Sequence, residues 1–256
     1  MEHSLSSESQ TQDDEAVELA DDEAAPLLLE GEVLGGQRIP WSSNYTFLVR
    51  IDAGHGKFLR AVYKPRDGEA PLSDFPDGSL YKREYAAYLL SNALGWPPVP
   101  LTLVRDGPYG VGSMQLYIET DPRVTYFDMI ADNRDKLWRF MVFDLLSNNA
   151  DRKGGHCLLG GGGTIWSIDH GLTFHPDSKV RTVMLEFWGE PIPLDIVADL
   201  KSFADRLSAD QSVTSGLAEL LTGDEVERLV KRLDAILENP IVPQFDPRRN
   251  VPWPLE

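Results

Sequence analysis

The sequence predicts a two-lobed α+β fold, strand-rich in its first half and helix-rich in its second. Three observations predict it. Residues 27–65 carry short alternating apolar runs broken by glycine-containing turns, the period of half-buried strands. From Thr125 onward apolar residues recur at helical spacing. Within that second half the polar loop NNADRKGGH precedes two short apolar runs joined by Gly160 to Gly163, which reads as a hairpin. On this basis residues 26–121 form an N-lobe and residues 122–256 a C-lobe. Residues 1–25 form an acidic, disordered N-terminus.

Taken in order, the first strand is expected near Leu28 to Leu34. A polar turn follows from Gly35 through Ser42, Ser43 and Asn44. Tyr45 to Ile51 alternates as a second strand and Phe58 to Tyr63 as a third, with Lys64 closing it. Prolines and glycines make 65–78 a loop. Leu80 to Leu94 reads as a helix stopped by Gly95. Two more strands are expected at Pro100 to Arg105 and Gly112 to Ile118, and a link between lobes at 118–123. The C-lobe opens with a helix from Thr125 to Leu146, followed by the hairpin. Helices then run from Leu194 to Leu207, from Val213 to Leu221, and from the capping box at Thr222 to Leu237. A proline-rich tail is expected to lie extended on the surface.

Charge narrows the classes of function. The net charge is −17 over 256 residues, and the first 25 residues hold nine acids and no Lys or Arg. The remainder keeps −8 and shows no dense basic patch, which argues against nucleic acid or an anionic membrane as a partner. No apolar run approaches the length of a membrane span, and Cys157 alone cannot form an intrachain disulfide. A cytoplasmic protein with no stable membrane insertion is the expectation.

The hairpin returns the chain, so Asp151 before it and Asp169 after it should meet at one end, in the cleft between lobes. Two acids facing one site commonly manage a cation or a proton. Phosphoryl transfer needs a phosphate cradle, a fixed cation, a metal-holding acid and a residue beside the attacking hydroxyl. Ser42, Ser43 and Asn44 can supply the cradle, Lys64 the cation, and Glu84 a carboxylate that aims Lys64. Asp151 can orient the nucleophile, while His156 and Asp169 can hold Mg²⁺ or Mn²⁺. Tyr117 and Glu119 fall where a linker would touch the base of ATP. This succession along the chain is that of protein kinases.

NADRKGGHCLL followed by IWSIDHGLTF resembles the D-R-x-x-x-N and I-D-x-G-x-x-F pair of phosphatidylinositol 3-/4-kinase-like enzymes, a superfamily that includes HipA-type kinases. More closely, the chain resembles an actinobacterial family of phosphatidylinositol-kinase-related proteins. The resemblance runs in order from about Gly31 to Leu237 and implies a two-lobed, protein-kinase-like fold. It implies ATP with Mg²⁺ or Mn²⁺ as cofactors, Asp151 as the catalytic-loop acid, Arg152 as its structural neighbour and Asp169 as the metal-binding acid. Lys64 and Glu84 match the lysine–glutamate pair by order. The family's metal-binding Asn falls on His156, which fits Mn²⁺, a single metal, or a degraded kinase. The glycine turn also lacks the G-x-G-x-x-G pattern.

Each residue has an ordinary alternative. Asp151 and Arg152 also fit a surface ion pair, Lys64 a solvated strand end, Glu84 a solvated helix face and His156 a loop hydrogen-bonder. Three functions beside kinase remain open: a nucleotide-binding pseudokinase, an enzyme transferring AMP, and a metal-dependent hydrolase built on His156, His170 and His175. For a kinase the charge favours a protein or small-molecule acceptor over a membrane lipid.

Overall fold

A computed structural model describes residues 15–40, 44–210 and 212–256. Ser42 and Ser43 therefore lie outside the described residues.

The first half of the chain, where an N-lobe is expected, builds a mixed sheet. Strands β1 (Glu15–Ala16), β2 (Val33–Arg38), β3 (Phe47–Gly54), β4 (Lys57–Pro65), β5 (Thr102–Gly107) and β6 (Gly110–Leu116) form it. The path runs β2-β3-β4-β6-β5, all antiparallel, and β1 pairs in parallel with β4. Along β4, Leu59, Ala61 and Tyr63 are buried against Ala24 and Leu28 of helix α1 (Asp21–Glu30). Alternation puts Arg60, Val62 and Lys64 on the opposite face, toward the cleft.

Helix α1 corrects two expectations. The acidic stretch is not disordered as far as residue 25, and the leucine run after it is helix where a strand from Leu28 was expected. Asp21, Asp22 and Glu23 occupy the first turn, where carboxylates face the positive end of the helix dipole. Ala24 and Leu28, four apart, share the buried side. Gly35 and Gly36 likewise belong to β2 and not to a turn. A Cβ on Gly36 would meet Leu48 O at 2.8 Å, so the close approach of β3 requires glycine there.

Helix α2 (Leu80–Leu94) ends at Gly95, with φ 83°, in the left-handed conformation. Its Ala86, Ala87, Leu90 and Leu94 belong to the core of the C-lobe. That core gathers α3 (Tyr126–Ser147), α4 (Leu194–Ala209), α5 (Ser212–Ala218) and α6 (Gly223–Glu238) around Phe140, Phe143, Phe187 and Phe203. Strands β7 (Cys157–Leu159) and β8 (Ile165–Ser167) make the hairpin, in the register Leu158↔Trp166. The tail is packed more closely than an extended surface segment. Val242 is fully buried, α7 (Pro247–Asn250) forms, and Leu255 O accepts from Gly154 N at 2.8 Å.

Candidate active site

Arg152 builds the site. Its guanidinium is fully buried and uses all its donors. Nε and Nη2 hold the two oxygens of Asp144 on α3 at 2.8 Å each. Nη1 donates to the carbonyls of His156 and Ile168, at 3.1 and 3.2 Å. Those two carbonyls lie just before and just after the hairpin. One side chain thus pins both ends, and an arginine suits this because its planar fork carries five donors. Nη2 also reaches Ser167 Oγ at 2.8 Å and His170 Nε2 at 3.1 Å. Burial, then the adjacent Arg152 charge, push the His170 pKa well below its ordinary value, so His170 is neutral. The surface-pair alternative for Asp151 and Arg152 is therefore corrected. Arg152 pairs with buried Asp144, while Asp151 pairs with Lys153 at 3.1 Å.

Lys64, from the cleft face of β4, lies against Glu84 Oε1 and 2.8 Å from Asp169 Oδ1. Glu84 is 2% exposed, and its second oxygen accepts from His170 N at 2.9 Å. The solvated-helix-face alternative fails because α2 is docked on the C-lobe. Arg83, next in sequence, forms a buried ion pair with Glu225 on α6. Trp96 Nε1, just past α2, donates to Asp199 on α4 at 3.0 Å.

Asp169 sits in the left-handed region at φ 61°, a conformation Asp tolerates better than most residues. Burial opposes its charge. The Lys64 and His156 charges and their hydrogen bonds outweigh that opposition and hold its carboxyl well below the usual range. His156 Nε2 lies 3.2 Å from Asp169 Oδ2. The backbone N–H of Lys153 points at His156 Nδ1 at 3.4 Å, so in the neutral ring Nδ1 accepts and Nε2 carries the proton toward Asp169. As placed, His156 steers Asp169. Asp151 is close enough to feel His156 and Asp169, and burial raises its pKa against the lowering charges of Lys153 and His156.

The structure thus brings Lys64, Glu84, His156 and Asp169 into contact, with Asp151 beside them. The other sequence candidates stand apart. Asn44 Oδ1 holds Ala70 N at 2.8 Å, in the loop between β4 and α2. At the linker, Glu119 pairs with Arg60, whose guanidinium lies 5.0 Å over the Tyr117 ring. Sequence reasoning missed Asp144. Its signal was a lone acid on an apolar helix face, seven residues before Asp151.

A divalent cation fits the donor set. Asp169 is half exposed toward the cleft, and an imidazole is at hand. Among the described residues no group of three or more His, Cys, Asp and Glu side chains is placed to hold a metal alone.

Protein Rv2133c of Mycobacterium tuberculosis is 38% identical over 274 residues, covering 93% of this chain and 97% of that protein. The chain belongs to the Rv2133c family. No protein-family model matches it. Among solved structures, the Helicobacter pylori proinflammatory kinase CtkA superposes with a TM-score of 0.54 at 13% identity, covering 84% of this chain and 94% of that one. The Golgi casein kinase with Mn/ADP bound gives 0.53 at 15% identity, covering 85% and 74%. At such identities the likeness is one of fold, and the fold of this family member is kinase-like. No helix among the described residues is long and apolar enough to cross a membrane.

Proposed function

We propose that the protein binds ATP with Mg²⁺ or Mn²⁺ and transfers its γ-phosphoryl group to a hydroxyl acceptor. The observation that carries this reading is Lys64, which contacts Glu84 on α2 and Asp169 after the hairpin at once. A structural ion pair needs one partner. A lysine fixed by a buried glutamate and aimed at a half-exposed aspartate is the arrangement phosphoryl transfer uses. The Mn/ADP of the Golgi casein kinase neighbour and the phosphatidylinositol-kinase-like motif pair support the same reading.

When bound, the metal offsets the charge of the β- and γ-phosphates. Lys64 holds phosphate oxygens, and Glu84 keeps its ammonium in place. Asp169 and His156 would hold the cation. Asp151 takes the proton of the acceptor hydroxyl as that oxygen bonds to the γ-phosphorus. The bond from phosphorus to the β,γ-bridging oxygen breaks, and ADP leaves. A raised pKa at Asp151 suits a proton acceptor, because basicity rises with it.

A protein or small-molecule acceptor is favoured over a membrane lipid. A cavity of about 460 Å³ opens beside the site, with Leu80 between it and Gly171, and it is lined by Asp67, Glu69 and Asp77 against a single Arg66. Such a lining repels an anionic headgroup.

Labelled ATP decides among the readings. Label from the γ-position found on an acceptor supports the kinase. Label from the α-position found there would mean AMP transfer. Nucleotide binding with neither label moved, in either metal, would overturn the proposal in favour of a pseudokinase. A metal-dependent hydrolase has less support, because it needs about three protein ligands around one ion.

A further inference from the structure

We infer that Gln115 selects the nucleotide base, and that Thr102 sets the direction of that selection by orienting the Gln115 amide. The inference rests on the proposed nucleotide site and deepens it.

Gln115 lies on β6 opposite Val62, and Ser113 opposite Lys64. Residues directly opposite on neighbouring strands share a face, so Gln115 stands on the cleft face with Val62 and Lys64. The apolar face belongs to its neighbours Met114 and Leu116, which pack with Ala61 and Tyr63, while Gln115 itself is 7% exposed. With phosphates at Lys64, the rest of a nucleotide extends along the cleft. Two residues along a strand advance about 7 Å, which carries it under Val62. Val62 in the N-lobe and Leu158 in the hairpin are both half-buried, yet neither belongs to any hydrophobic cluster among the described residues. Two such side chains, one from each lobe, suit the two faces of a flat ring.

The polar wall of that slot is directional. Thr102 Oγ1 donates its one proton to the carbonyl of Pro100 at 2.8 Å. Its oxygen can then only accept from Gln115, so the group 2.8 Å away is the Nε2 amide and not the oxygen. Thr102 is on β5, and β6 lies between β5 and β4. With Nε2 committed to Thr102 on β5, the carbonyl oxygen Oε1 is the amide atom left for the slot. An acceptor at that wall receives an amino group and repels a carbonyl. Adenine carries an amino group at its 6-position, and guanine and hypoxanthine carry an oxygen. The wall therefore chooses adenine.

The test measures dissociation constants of the full-length protein for the Mn²⁺ complexes of ATP, GTP and purine riboside triphosphate, which lacks any 6-substituent. Wild type should bind ATP about 5- to 150-fold more tightly than purine riboside triphosphate, the worth of one buried hydrogen bond that is otherwise unmade, and GTP most weakly. Gln115→Met keeps the length but removes the acceptor, so the ratio of ATP to purine riboside triphosphate affinity should fall to near one. Thr102→Val frees the amide to turn its Nε2 toward the slot, so the ATP-to-GTP ratio should narrow while ATP still binds. Equal wild-type affinity for ATP and GTP would overturn the inference and leave the proposed function standing. An unchanged ATP preference in Gln115→Met would do the same. If no triphosphate binds at all, the proposed function fails and this inference with it. The comparison of ligands on the wild type needs no variant, so a misfolded substitution leaves the question decidable.

Discussion

Arg152 grips Asp144 through two parallel 2.8 Å hydrogen bonds, and both side chains are fully buried. From that anchor the same guanidinium holds the carbonyls of His156 and Ile168. The convergence of His156 and Asp169 is thus a consequence of one buried ion pair on α3. Removing either partner leaves the other charge buried and unmatched. Asp144→Ala should cost about 3–5 kcal/mol, read as a lower denaturant midpoint with unchanged slope. Arg152→Lys should also destabilise, because an ammonium has three donors for positions a guanidinium fills with five. A Lys variant as stable as wild type would mean that the fork geometry is irrelevant.

A second expectation concerns binding. Asp169 is the residue on which Lys64 and His156 both converge. Asp169→Ala should abolish the thermal shift that ATP with Mn²⁺ gives the wild type, and turnover with it. A ligand at 100 times its dissociation constant stabilises the native state by about 2.7 kcal/mol, so the wild-type shift is large enough to read. Persistence of the full shift in the variant would place the metal elsewhere.

Much of this arrangement was legible in the sequence, for reasons that differ by element. Lys64 could be placed because β4 alternates cleanly, so its parity fixes its face. The hairpin could be placed because four glycines separate two short apolar runs. By contrast α1 was misread. Its three leucines look like a strand core until their partners are known, and its acids look like disorder until the helix dipole gives them a role. Glu84 was ambiguous because burial of α2 depends on Arg83 meeting Glu225, 142 positions away, and no local pattern reports that distance. Asn44 was assigned by proximity to glycines, but its oxygen is committed to Ala70. Gln115 carried no motif; only the register of β6 against β4 gives it a place.

On the proposed function, the pH dependence should follow from Asp151. Burial disfavours its ionised form and raises its pKa above the ordinary carboxylate value, against the lowering effect of Lys153 and His156. A proton acceptor works only when ionised, so the rate should be full above that pKa and fall as pH drops through it. The acid limb of kcat/KM should therefore lie higher than the about 3.9 of an unperturbed Asp. Asp151→Ala should leave nucleotide binding nearly intact and lower turnover about 10²–10⁴-fold. A profile with no acid limb, or a variant with wild-type turnover, would remove Asp151 from the chemistry.

On the proposed function, the metal preference should follow from His156. In the neutral ring its Nδ1 accepts from the backbone of Lys153, which leaves the proton on Nε2, 3.2 Å from Asp169 Oδ2. Ligating a cation through Nε2 requires the proton to move to Nδ1, which gives up that backbone bond. The exchange is easier for an ion with strong affinity for nitrogen, and Mn²⁺ accepts imidazole more readily than Mg²⁺, which prefers oxygen. His156→Asn replaces the imidazole with an amide oxygen that needs no proton shift. It should keep phosphoryl transfer and raise the Mg²⁺ rate relative to the Mn²⁺ rate. Single-turnover loss of the ATP γ-phosphate, measured in each metal for both proteins, gives the ratio. An unchanged metal ratio would mean that His156 acts only by steering Asp169. A wild type that binds ATP but transfers nothing, while His156→Asn gains activity, would mark the histidine as the change that silenced a kinase.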